Sequence, residues 1–312
     1  MDFLADIQAI TGKNNAVADE PMAKHTTFRV GGAAKYAAFV STASEIESLI
    51  KLCNDNNVQY YIIGNGSNVL ISDKGYDGLM IIIGRNMSEI SVEGETIRAG
   101  AGALLSAIGS KALNAGLAGF EFACGIPGTL GGACFMNAGA YGGEMKDILV
   151  SVDAVTPDGT VRTFDVEELG LGYRTSIFTK GGYVIVGALM RLHRGSYDDI
   201  KVCMDDLAYK RRLKQPLEYP SAGSTFKRPE GYFAAKLIDD RGMFAGQLIE
   251  ESGLKGRGVG DACVSDKHAG FVINKGKASA KDIYDTIQLV ISEVKKQKGV
   301  ILEPEVRIIG EF

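Results

Sequence analysis

The placement of glycine constrains this 312-residue chain more than any other feature of its sequence. Its 40 glycines fall in short clusters, and the densest, at 125, 128, 131, 132, 139, 142 and 143, rules out a continuous helix or strand across 124–143. Glycine is favoured where backbone turns through left-handed conformations or must approach another group closely. A second cluster, Gly64-Asn65-Gly66-Ser67-Asn68, separates two apolar segments at 59–63 and 69–72, which reads as strand, turn, strand. Loops of this kind turn consecutive N–H groups inward and cradle anions. They also serve as plain tight turns, and on glycine content alone both readings stand.

Two familiar phosphate-binding patterns do not apply. Gly64-Asn65-Gly66 begins like the dinucleotide fingerprint, but Val69 occupies the third glycine position and a strand follows, so no helix N-terminus reaches a pyrophosphate. Gly100-Ala101-Gly102 precedes a helix, yet Leu105 stands at its third position. The stretch 270–277 is a P-loop near miss: its spacing is wrong, and Ala278 replaces the hydroxyl that would hold magnesium.

Two or three compact units are expected, because single cores seldom grow beyond ~250 residues. A net charge of −4 without a basic stripe argues against nucleic acid as a partner. No stretch approaches the ~20 apolar residues that span a bilayer, and 1–13 lacks the basic start and apolar run of a signal peptide. Cys53, Cys124, Cys134, Cys203 and Cys263 form no C-x-x-C pair and read as reduced, small buried side chains. His25, His193 and His268 stand apart, so no metal site is expected.

Thr42 and Glu45 make a capping box for a helix through Ile46, Leu49, Ile50 and Cys53 that ends near Asn56. Strands are expected at 79–83, 90–92 and 96–99, a helix at 103–114 closed by Gly116, and a hairpin of 150–155 with 161–164 turning on Pro157-Asp158-Gly159. A strand at 184–192 precedes a helix at 198–213, which presents Ile200, Met204 and Leu207 to one side and stops at Gln215-Pro216. Helices follow at 233–240, 245–252 and 281–296; the last has Ser279 as N-cap, Gly299 beyond its end and an apolar face of Ile283, Ile287, Val290, Ile291 and Val294. The final segment alternates, with Leu302, Val306 and Ile308 facing one way and Glu303, Glu305 and Arg307 the other.

Several motifs together resemble one family. They are His25-Thr26-Thr27-Phe28-Arg29-Val30-Gly31-Gly32, the Gly64-Asn68 loop with Val69-Leu70, Gly125-Ile126-Pro127-Gly128-Thr129-Leu130-Gly131-Gly132, and Asn137-Ala138-Gly139-Ala140-Tyr141-Gly142. Tyr173-Arg174-Thr175-Ser176-Ile177-Phe178, Ala222-Gly223-Ser224-Thr225-Phe226-Lys227 and Leu302-Glu303-Pro304-Glu305-Val306 complete the set, in order over nearly the whole chain. This series resembles the UDP-N-acetylenolpyruvoylglucosamine reductases in their shorter form, since no insertion follows Leu192. Arg228 stands where the longer form has asparagine.

The resemblance implies an α+β chain: an FAD-binding domain of the vanillyl-alcohol-oxidase (PCMH) type over about residues 27–192, made of two α/β subdomains, followed by a smaller α/β substrate domain. The expected divisions are 1–80 and 81–200 for the subdomains and 201–304 for the substrate domain, and the strand at 305–312, so close to the C-terminus, is expected to rejoin the first. It implies non-covalent FAD held by Gly64, Asn65, Gly66, Ser67 and Asn68 and by Gly125, Ile126, Pro127, Gly128, Thr129, Gly131 and Gly132. NADPH is the implied reductant and a nucleotide sugar the implied substrate, in the cytoplasm and with neither nucleic acid nor membrane as partner. The implied reaction reduces the enolpyruvyl ether of UDP-N-acetylglucosamine to UDP-N-acetylmuramate for peptidoglycan synthesis. Arg174, Ser224 and Glu305 are its implied catalytic residues, and Tyr173, Lys227 and Arg228 its candidate substrate contacts. Two other readings compete: another flavin oxidoreductase of the same superfamily, and a silent flavin or nucleotide-sugar binding protein. The second is expected to lack at least one of the three catalytic residues.

Overall fold

The computed structural model describes residues 2–229, 231 and 244–312; the helix expected at 233–240 lies outside them. Local chemistry starts and stops the helices. Thr42 Oγ1 accepts the N–H of Glu45 at 3.1 Å to open the helix Ala43–Asp55, while the Glu45 carboxylate takes the N–H of Ser41 at 2.6 Å, one residue further out than the box requires. Ser279 and Asp282 cap the helix Ala280–Lys298 reciprocally, and Gly299 ends it at φ 72°. Asp73 adds a second cap by accepting the N–H groups of Ala280 and Lys281 at 2.9 and 2.8 Å. A helix not anticipated above, Phe3–Thr11, opens on the side chain of Asp2.

The chain divides into two compact units that are not successive in sequence. One comprises Met1–Glu20, Lys35–Asn65 and Gly78–Arg211; the other comprises Pro21–Ala34, Gly66–Asp77 and Arg212–Phe312. Each has a core of its own.

The first unit is built on two sheets. One has the strand order Ala16–Pro21, Ala33–Val40, Tyr76–Ile83, Tyr60–Ile63, the last two running parallel. The other is antiparallel, in the order Val161–Asp165, Leu149–Val155, Val184–Arg191, Thr96–Gly100, Ile90–Glu93. Ile46, Leu49, Ile50 and Cys53 bury one stripe of their helix in the core that also holds Leu79, Ile81, Ile83 and Ile97. Helix Leu105–Asn114 contributes Leu105, Ile108 and Ala112 to that core.

In the second unit the helix Ala280–Lys298 buries Ile283, Ile287, Val290 and Val294 with Leu248, Ile249 and Val272. Its antiparallel sheet runs Gly258–Val259, Ala262–Val264, Val272–Asn274. A separate parallel pair joins Arg307–Ile309 to Val69–Ile71.

Two expectations need correction. Ile308 does not share the face of Leu302 and Val306; it is 37% exposed, and Ile309 is buried in its place. The strand begins only at Arg307, so the irregular stretch before it breaks the two-residue period. Cys203 is exposed, unlike the buried Cys53, Cys134 and Cys263, because its helix Tyr197–Lys214 buries little beyond Ile200. All five cysteines are free thiols, and burial pushes Cys53 and Cys134 up to about 12. Among the described residues no helix is long and apolar enough to cross a membrane.

Candidate functional site

The two glycine loops meet within the first unit at Gly64 and Asn65. Asn65 Nδ2 donates to the carbonyl of Pro127 at 2.8 Å. A Cβ on Gly64 would stand 2.3 Å from Thr129 Oγ1, so only glycine lets these segments lie so close. Within 125–132 several N–H groups are already committed: Ile126 to Ala123 O, Gly128 to Ile126 O, Leu130 to Ala103 O and Gly131 to Ala101 O. Among the described residues no backbone carbonyl accepts the N–H groups of Gly125, Thr129 and Gly132. Arg211 lies against Gly125, and its guanidinium is 5.8 Å from the ring of Tyr141.

In the second unit, Gly66 takes φ 59° and passes so near the His25 carbonyl that a Cβ would come within 1.8 Å of it. Thr27 N–H donates to Gly66 O at 3.1 Å, which ties the 25–32 motif to the loop. Among the described residues no backbone carbonyl accepts the N–H groups of Gly66 or Ser67. Asn68 reaches toward a catalytic candidate: its Nδ2 donates to Glu305 O at 3.3 Å, and its carbonyl accepts the N–H of Arg307 at 3.0 Å.

Ser224 and Glu305, remote in sequence, are laid on adjoining segments of this unit. Phe226 bridges Pro304 antiparallel, Lys227 N–H donates to Glu303 O at 2.9 Å, and Glu305 N–H donates to Thr225 O at 2.7 Å. Thr225 is fully buried, and its Oγ1 accepts the N–H of Val272 at 3.0 Å. Ser224 beside it is exposed, and Glu305 is half-buried. Lys227 pairs with the Glu303 carboxylate at 3.0 Å, and Arg228 is exposed.

Arg174 belongs to the first unit. Gly172 and Thr175 close a tight turn through two hydrogen bonds of 3.2 and 3.3 Å, and Arg174 sits in it at φ 54° with its guanidinium 5.3 Å from the ring of Tyr173. Asn137 holds this turn from outside through a hydrogen bond to the Gly172 carbonyl at 3.0 Å. Sequence reasoning gave Asn137 no role of its own; its only signal was membership of the motif 137–142.

The comparisons with known proteins converge. Residues 215–309 match the model of the UDP-N-acetylenolpyruvoylglucosamine reductase C-terminal domain, and residues 34–165 match that of an FAD binding domain. The UDP-N-acetylenolpyruvoylglucosamine reductase of Agathobacter rectalis is 51% identical over 306 residues, covering 94% of both chains. The chain belongs to the UDP-N-acetylenolpyruvoylglucosamine reductase family. The reductase of Alkaliphilus oremlandii is 48% identical over 314 residues, the full length of both. The crystal structure of the reductase from Thermus caldophilus shares the fold with a TM-score of 0.77 at 33% identity, over 95% of this chain and 98% of that one. Phl p 4, a grass pollen allergen with glucose dehydrogenase activity, is alike in fold alone, with a TM-score of 0.50 at 17% identity over 62% of this chain and 44% of its own.

As a member of the reductase family the chain is a flavin-dependent oxidoreductase, with a PCMH-type FAD-binding domain joined to the family's C-terminal domain. Its loops fit such a cofactor. Neither 64–68 nor 125–132 contains a carboxylate, and both offer backbone N–H groups and hydroxyls, the donor set a diphosphate accepts from.

Proposed function

We propose that Arg174, Ser224 and Glu305 divide the work of the family's reaction, with NADPH reducing the flavin. That reaction is the FAD-mediated reduction of UDP-N-acetylenolpyruvoylglucosamine to UDP-N-acetylmuramate, a step in making peptidoglycan precursors. Gly64, Asn65, Gly66, Ser67 and Asn68 with Gly125, Ile126, Pro127, Gly128, Thr129, Gly131 and Gly132 hold the cofactor. When bound, FAD supplies a hydride from N5 to the terminal carbon of the enolpyruvyl double bond.

Negative charge then gathers on the adjacent carbon and spreads into its carboxylate. Arg174, permanently charged, grips that carboxylate through two N–H groups. Glu305, in its protonated form, donates a hydrogen bond to the enolate oxygen. Ser224 delivers the proton: a hydroxyl is a weak acid, but the carbanion is a far stronger base. Donors set in place before charge develops lower the barrier without reorganising during the step.

Tyr173, Lys227 and Arg228 contact the nucleotide sugar. Lys227 does so by exchanging its Glu303 partner for a phosphate oxygen. We place the protein in the cytoplasm, as the family resemblance implies.

The observation that carries this reading is the pairing of Thr225 with Glu305, which makes Ser224 and Glu305 near neighbours in one unit. The test is spectroscopic. The purified protein should be yellow, should bleach on anaerobic addition of NADPH, and should regain its colour when the enolpyruvyl nucleotide sugar is added. A protein that bleaches but is not re-oxidised by that substrate would overturn the assignment.

A further inference from the structure

We propose that Asn137 is a positioning residue for Arg174, its side-chain amide holding at once the turn that carries the guanidinium and the carboxylate of Glu144 beside it. The inference rests on the reading of Arg174 as the group that grips the substrate carboxylate.

Asn137 is 1% exposed and takes φ 47°. Its Nδ2 donates both hydrogens, to Gly172 O at 3.0 Å and to Glu144 Oε2 at 3.0 Å, while its Oδ1 accepts the N–H of Lys146 at 2.9 Å. The amide therefore stands between a carbonyl oxygen and a carboxylate oxygen, and only a group with two donors on one atom satisfies both. Arg174 sits in the left-handed region, which disfavours a side chain bearing a Cβ, so the turn must be held by its surroundings. Asn137 supplies one tie at Gly172, and Ser176 Oγ supplies another by donating to Phe135 O at 2.6 Å. Both ends of the Arg174 turn are thus fastened to the segment 135–137.

The same amide fixes the charge near the guanidinium. Glu144 pairs with Lys146 Nζ at 2.7 Å. Burial alone would favour its neutral form; the hydrogen bond and charge of Lys146, the Asn137 hydrogen bond and the Arg174 charge outweigh it and hold the carboxyl below its usual range. Glu144 is therefore a constant anion within electrostatic reach of Arg174.

The test uses the FAD-loaded full chain with Asn137→Asp and Asn137→Gly, alone and combined with Arg174→Lys. Asp keeps the shape but sets a third acceptor between the two oxygens; Gly keeps the left-handed backbone and removes the amide. Flavin content, the melting temperature, bleaching by NADPH, calorimetric affinity for the enolpyruvyl substrate and the rate of flavin re-oxidation by it are measured. Flavin content and bleaching should stay within about twofold of the parent while re-oxidation falls on the order of 10²-fold, the penalty of a slightly misplaced group. Substrate affinity should weaken too, and Asn137→Asp should add little to Arg174→Lys, as for residues acting as a unit. If Arg174→Lys is slow but Asn137→Asp and Asn137→Gly re-oxidise at the parent rate, the Asn137 inference falls and the Arg174 reading survives. If Arg174→Lys re-oxidises at the parent rate, the underlying reading falls. Equal losses in both half-reactions, or additive losses in the double variant, make Asn137 merely structural and overturn the proposal. If the Asp variant does not fold, the Gly variant decides alone.

Discussion

Glu305 donates its backbone N–H to the carbonyl of Thr225 at 2.7 Å. Thr225 also donates its own N–H to Gly270 O at 2.8 Å and accepts the N–H of Val272 on its hydroxyl at 3.0 Å. One buried residue thereby joins the segment of Ser224, the segment of Glu305 and the loop 265–271. The placement of the proposed proton donor depends on a neighbour that needs no contact with substrate.

Replacing Thr225 with Val keeps the shape and strands the Val272 N–H without its acceptor. An unsatisfied buried donor costs about 1–3 kcal/mol. Chemical denaturation should register that loss, and Thr225→Ser should restore most of it. Flavin re-oxidation by substrate should slow more than bleaching by NADPH.

Ser224→Ala separates the two half-reactions. The side chain is exposed, so stability should hardly change. Bleaching by NADPH should persist while turnover falls by ~10²-fold or more, the scale of a lost general acid. Stopped-flow measurement of each half-reaction checks this, and equal slowing of both would contradict the assigned role.

Gly66→Ala should be far more damaging than its single methyl suggests. The position requires φ 59°, and the new carbon would fall 1.8 Å from the His25 carbonyl. Backbone must move in a loop assigned to the cofactor, so flavin content in the purified protein should drop sharply. Gly84→Ala is the control, because nothing lies within 4 Å of its added carbon.

His268 should make stability depend on pH. Its Nδ1 accepts the N–H of Gly270 at 3.1 Å, which only an unprotonated nitrogen can do, and its ring packs on Phe271 at 4.8 Å. Burial lowers its pKa from an ordinary 6.5; its own backbone hydrogen bond and Glu250 oppose that, and Lys255 and Lys214 reinforce it. A base with a lower pKa when folded binds fewer protons in the native state. Its contribution is complete above the unfolded value and is lost as pH falls from there through the folded one. Thermal unfolding scanned downward from neutral pH should show this loss below about pH 6.5, and His268→Gln, which retains an acceptor, should flatten it.

Helix Ala280–Lys298 was legible because its signals are local: Ser279 before it, Gly299 after it and apolar residues at helical spacing between. The helix Phe3–Thr11 has a comparable signal in Asp2 followed by Phe3, Leu4 and Ile7, and was legible in principle. Pairings between remote segments leave no such trace. The apolar run Val69–Ile71 would suit many sheets, and nothing in it names Arg307–Ile309 as its partner. The nearness of Ser224 and Glu305 likewise follows from the Phe226–Pro304 bridge, so only the family resemblance linked them beforehand. Asn137 shows the other limit: an asparagine among glycines reads as turn chemistry, and its two acceptors, Gly172 and Glu144, come from separate stretches of chain.

The parallel pairing of Val69–Ile71 with Arg307–Ile309 sets a schedule for the growing polypeptide. A strand made early on the ribosome waits with an unpaired edge until nearly all later residues have emerged, and such edges invite aggregation. Chains halted before residue 307 should therefore be removed or precipitate as a whole, however sound their first unit, which makes synthesis to near full length a condition for solubility as much as for catalysis.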